Sequence, residues 1–158
     1  MSAMTDKLEN SLIDWMLRGQ AMGASGLVGA SAAAGTGFTQ VFVALFTGAP
    51  SDAAGGSEVT GAGYARQPVA CSMAAWAGTQ GPGSTTLSTG TGGATSNNAA
   101  VTYAPPTADW GNISHAAIFD SVSGGNMLMQ GALQAPKNVL SGNPAPSFPA
   151  GSLIMAFA

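Results

Sequence analysis

The chain has 158 residues, a length one domain accounts for, with 23 glycines and only 7 % charged side chains at a net charge of −3. Its four basic residues, Lys7, Arg18, Arg66 and Lys137, are too few to bind nucleic acid by neutralising phosphates. Because 46 % of the residues are hydrophobic, the chain folds rather than staying disordered; so little surface charge predicts that copies of itself or a larger partner cover much of its exterior.

Residues 6–18 read as the one helix. Asp6 is the expected cap, and Glu9 three residues on completes a capping box. Leu8, Leu12, Trp15 and Met16 fall on one apolar stripe, Asp14 and Arg18 form an i,i+4 pair on the other side, and Gly19 supplies the stop. A helix this short needs a surface to lie on. That surface is either its own domain or a neighbouring subunit, with the stripe as the contact. Gly19 to Gly37 is almost entirely Gly, Ala and Ser and reads as a flexible arm, which divides the chain into a helix and arm over 1–37 and a β domain over 38–158.

From residue 39 short strands follow. Thr39–Thr47 is apolar on both faces and reads as a central strand. A turn-rich stretch, Gly48–Gly63, precedes a second strand, Tyr64–Met73, in which Pro68 signals an edge or bulge. Thr85–Thr89 and Ala99–Tyr103 read as a hairpin. Asn112–Asp120, Asn126–Leu133, Lys137–Leu140 and Ser152–Phe157 complete about eight strands. The expected fold class is mainly β: an antiparallel sandwich or jelly roll preceded by one N-terminal helix and a Gly/Ala-rich arm.

No set of residues reads as a catalytic, cofactor or metal site. Cys71 stands alone within the apolar alternation Val69-Cys71-Met73, which predicts a buried thiol and excludes a thiolate zinc cluster. His115 alternates with Ile113, Ala117 and Phe119 and reads as structural. Its neighbour Ser114 points to the opposite face of a regular strand, so the two are not expected to meet. The seven carboxylates are scattered, and Asp52 to Glu58 lacks the ligand pattern of a calcium loop. The aromatics Trp76, Trp110, Tyr64 and Tyr103 invite a sugar-stacking role, but Trp110 beside Gly111 at the start of a strand reads as a core plug. Arg66 is expected to pair with Glu58 or Asp109. No apolar run is long enough to span a membrane and no secretory pattern opens the chain, so synthesis and assembly in the cytoplasm are expected.

Several segments together resemble a known family: Val41-Phe-Val-Ala-Leu-Phe-Thr47, Gly61-Ala-Gly-Tyr-Ala-Arg-Gln-Pro-Val69, Ala108-Asp-Trp-Gly-Asn-Ile-Ser-His-Ala-Ala-Ile-Phe-Asp120, Gly131-Ala-Leu-Gln-Ala-Pro-Lys-Asn-Val-Leu-Ser-Gly142 and Phe148-Pro-Ala-Gly-Ser-Leu153. Over residues 41–157 the chain resembles small virion structural proteins of tailed bacteriophages, often labelled tail-fibre proteins and in some cases capsid decoration or cement proteins. The resemblance implies a protein that acts by binding, without enzyme activity or cofactor, as a homo-oligomer with a trimer favoured. The first expectation is decoration of the phage head surface, bound to the major capsid protein and tethered by Leu8, Leu12, Trp15 and Met16. The alternative is a tail fibre or baseplate component contacting tail proteins or a host glycan. Tyr64, Arg66, Trp110 and His115 are then structural.

Overall fold

A computed structural model describes residues 4–24, 26–27, 37–51 and 55–157. It is mainly β and antiparallel, with one helix near the N-terminus. The elements are α1 (Asp6–Met16), β1 (Gln40–Gly48), β2 (Ser57–Glu58), β3 (Gln67–Ala70), β4 (Ala94–Ser96), β5 (Val101–Thr102), β6 (Gly111–Phe119), β7 (Met127–Val139), β8 (Ser147–Phe148) and β9 (Ile154–Ala156). The main sheet runs β2-β1-β6-β7, with β3 also paired to β1; β4 pairs with β9, and β5 with β8.

The chain divides into two compact units whose segments alternate along the sequence. One comprises 41–69 and 102–147, the other 1–40, 70–101 and 148–158.

In the first unit β1 is buried without interruption from Val41 to Phe46, as its double-sided apolar character predicts. Its partner β6 lies in register, Phe42 opposite Phe119 and Phe46 opposite His115. Two tyrosines extend the hydrogen bonding of β1 with their side chains. The Tyr103 hydroxyl donates to the Val43 carbonyl at 2.9 Å, and the Leu45 amide donates to the Tyr64 hydroxyl at 2.9 Å. The strand expected from Tyr64 is therefore shorter, starting at Gln67, because Tyr64 is committed to this contact. The two strands expected over 126–133 and 137–140 are one continuous β7. Pro136 does not end it, since an edge strand tolerates a residue without an amide donor.

In the second unit α1 begins differently from the expectation. Thr5 is the N-cap, without a side-chain cap bond, and its carbonyl accepts from the amides of Leu8 and Glu9. Asp6 is already the first helical residue, so the capping box is absent. Gly19 follows the helix with φ +66°, and a Cβ there would come within 2.7 Å of the Cys71 carbonyl oxygen, which only glycine permits. Thr85–Thr89 forms no strand, and the expected hairpin with Ala99–Tyr103 does not form. Segment 84–88 instead turns its polar groups toward α1. Asn97 fixes the C-terminal segment: its buried amide nitrogen donates to the carbonyls of Ala99, Phe148 and Pro149, and its amide oxygen accepts from the Leu153 amide. Of the arm expected over 19–37, residues 25 and 28–36 lie outside the described residues, as does Asp52.

Candidate interaction surfaces

Arg66 organises the loop end of the main sheet. Only 8 % exposed, it forms a bidentate pair with Glu58: Nε to Oε1 and Nη2 to Oε2, both 2.8 Å. Its Nη1 donates to the carbonyls of Ser121 and Gly124, and the guanidinium lies 3.5 Å from the Phe119 ring centroid. The Glu58 hydrogen bonds, above all, raise the Arg66 pKa beyond its usual value. The other carboxylate weighed for Arg66, Asp109, instead accepts from the Ser141 amide at 2.7 Å.

The Tyr64 hydroxyl donates to Glu58 Oε1 at 3.1 Å. Burial, foremost, pushes both Tyr64 and Tyr103 well above the ordinary tyrosine pKa. These two rings stack at 6.0 Å, and Trp110 meets both edge-on, its indole N–H donating to the Ala62 carbonyl at 3.0 Å. Trp110 is buried, so its faces are spent inside the fold. Trp76 is also fully buried, which removes it as a sugar platform.

An open pocket of about 540 Å³ lies over Phe46, Phe119 and Met127, walled by Arg66, Glu58 and the 124–126 turn. That turn is fixed by Asp120, whose carboxylate accepts from the Asn126 amide at 2.7 Å and side chain at 2.8 Å. The side-chain bond is the largest influence holding the Asp120 carboxyl below its ordinary pKa. Glu58 and Asp120 are thus both tied to fixed donors, and the pocket presents an apolar floor with a neutralised ion pair. That suits adhesion better than proton transfer.

Ser114 and His115 correct the sequence expectation: Ser114 Oγ lies 2.9 Å from His115 Nδ1. The β6–β7 register shifts between Ile113 and His115, and an irregular ladder re-aims side chains that a regular pleat would separate. Ser114 Oγ also reaches the Thr47 carbonyl at 3.3 Å. Among the described residues no three of His, Cys, Asp and Glu converge as metal ligands. Cys71 is buried, which pushes its thiol up to about 11, far from a reactive thiolate.

The second surface belongs to α1, which packs on its own unit by its polar side. Arg18 and Asp14, 0 % and 1 % exposed, pair at 2.5 Å. Arg18 also donates to Ser88 Oγ and to the carbonyls of Trp76, Ser84 and Thr86. Asp14 accepts from the amide and hydroxyl of Ser88. One turn earlier the Asn10 side chain donates to the Gly90 carbonyl and accepts from the Thr79 hydroxyl. Ile13 and Leu17 supply the buried apolar contact. Of the expected stripe, Leu8 is 36 % exposed, Leu12, Trp15 and Met16 are half-buried, and Trp15 touches Phe38 at 6.2 Å between ring centroids. Asn10, Ser88 and Asn97 carry this unit's polar contacts, and sequence reading passed over them because isolated Ser and Asn residues have no period.

The family model described as podophage GP4 fiber I protein gp80 matches residues 3–156, taking in α1, the Arg66 cluster and every strand. No curated protein matches the chain. No helix among the described residues is long and apolar enough to cross a membrane. The chain belongs to the podophage GP4 fiber I protein gp80 family and is a structural protein of the phage virion.

Proposed function

We propose that this protein is a non-enzymatic, adhesive subunit of a fibre assembly on the virion, present as a homo-oligomer and attached to a neighbouring virion protein through α1. The family description supports the fibre assignment. The observation that carries the adhesive role is the inverted packing of α1. Its polar side is consumed by internal bonds from Asn10, Asp14 and Arg18, while Leu8, Leu12, Trp15 and Met16 keep apolar surface in reach of solvent. An apolar stripe presented by a helix is a standard docking element, and repetition over many copies multiplies modest contacts into firm attachment.

The second reading is decoration of the head, with the major capsid protein as the partner of the same stripe. The absence of an internal sequence repeat favours it, because an elongated fibre shaft is commonly built from repeated units. Labelling the subunit on intact virions and counting copies separates the two. Copies confined to the tail or its attachment point, in low symmetry, support the fibre; copies spread over the shell lattice support decoration. Virions that assemble and infect normally without the protein overturn both.

A further inference from the structure

We infer that Glu9 is the charged anchor of the α1 docking face, a socket that receives a lysine or arginine side chain from the neighbouring virion protein. The inference rests on the docking role proposed above for α1. Glu9 is only 9 % exposed, yet among the described residues its carboxylate makes no hydrogen bond or ion pair. The other buried polar side chains of the helix are bonded: Asn10 to Thr79 and Gly90, Asp14 to Arg18 and Ser88. The start of the helix offers Glu9 no donor from its own turn, since the amides of Leu8 and Glu9 are taken by the Thr5 carbonyl. A carboxylate withdrawn from water without a partner is costly. The cost is recovered when a cation arrives.

The surroundings of the carboxylate suit that cation. A Cβ on Gly93 would stand 2.5 Å from Glu9 Oε2 and 2.9 Å from the Phe157 carbonyl oxygen. A carboxylate and a carbonyl thus crowd one point, and both are acceptors. An ammonium or a guanidinium carries several N–H donors and can serve both at once. The oxygens are also reachable. Among the described residues Trp76 Nε1 is the one fully sealed side-chain polar atom without a partner, so the Glu9 carboxylate keeps an opening to solvent. Its place on the helix names the source of the cation. Glu9 follows Leu8 and lies three residues before Leu12, its neighbour on the helix surface, so a protein seated on the apolar stripe passes over it. A second copy is the poorer donor, because Arg18 and Arg66 of the four basic residues are consumed by Asp14 and Glu58. Apolar contact from the stripe gives adhesion, and one charge pair at its edge fixes the register.

The test uses Glu9→Gln in the full chain, a change that keeps the shape and removes the charge. A tagged extra copy is supplied during growth of the phage, so virions form whatever the variant does, and tagged copies per virion are counted. Tagged Glu9→Gln should enter virions about tenfold less than tagged wild type at equal expression. Its melting temperature should be unchanged or higher, because no internal bond is lost. A lower melting temperature would make Glu9 an internal structural residue and overturn the inference. Wild-type incorporation of Glu9→Gln beside failure of the Leu8→Gln/Leu12→Gln variant overturns it too, and leaves docking by the stripe standing. Normal incorporation of both variants overturns the socket and the docking role of α1 together.

Discussion

Arg66 commits every guanidinium nitrogen: two to Glu58 and one to the carbonyls of Ser121 and Gly124. Lysine carries the same charge but lacks the planar fork. Arg66→Lys should therefore cost about 2–3 kcal/mol, with hydrogen exchange accelerating first at the 121–125 amides, whose carbonyl anchors it removes. The two tyrosines whose hydroxyls bond the β1 backbone set a limit at high pH. Tyr64 and Tyr103 hold their protons above the ordinary value of 10.0 in the folded chain. Unfolded, they ionise near that value, so their contribution to stability is complete below it and is lost as pH rises toward their folded values. Melting temperature should fall steeply above about pH 10, in step with tyrosinate absorbance. A flat profile there would mean that the hydroxyls are not buried as described.

At the scale of elements, α1 separates what the sequence discloses from what it conceals. The apolar spacing of Leu8, Leu12, Trp15 and Met16 discloses a helix but leaves open which surface the stripe meets, and it gives no sign that Asn10, Asp14 and Arg18 are the buried row. Asn10, Asp14 and Arg18 also recur every fourth position, which on its face is a solvated stripe. Their burial depends on acceptors and donors from 76–90, a Gly- and Thr-rich segment with no period of its own. β1 and β6 were legible because burial and β-branching coincide along them. The pairing of β4 with β9 was not, since its partners lie some sixty residues apart with nothing local to link them. The buried pair makes a direct prediction: Asp14→Ala should destabilise by about 3–5 kcal/mol, because it strands the Arg18 charge. Asp14→Leu combined with Arg18→Met should cost less than the single change, read from denaturant midpoints. By contrast, Leu8→Gln with Leu12→Gln should leave the melt nearly unchanged and abolish incorporation into virions, if this stripe is the docking face.

For the whole molecule, the scarcity of charge governs how copies meet. Eleven ionised side chains serve 158 residues, and two of the four cations, Arg18 and Arg66, are already buried in internal pairs. Lys7 and Lys137 are the basic side chains left at the surface, so electrostatic steering and repulsion between copies are both weak. An assembly held by rim salt bridges loosens as salt screens them. One held by apolar surface does not, and sulfate, which is excluded from protein surfaces, strengthens it. Self-association of the wild-type chain should therefore be unchanged between low and physiological sodium chloride and tighter in sodium sulfate of equal ionic strength. Wild-type association that weakens with sodium chloride would place the contact on charged residues instead and exclude the apolar stripe of α1 as its basis.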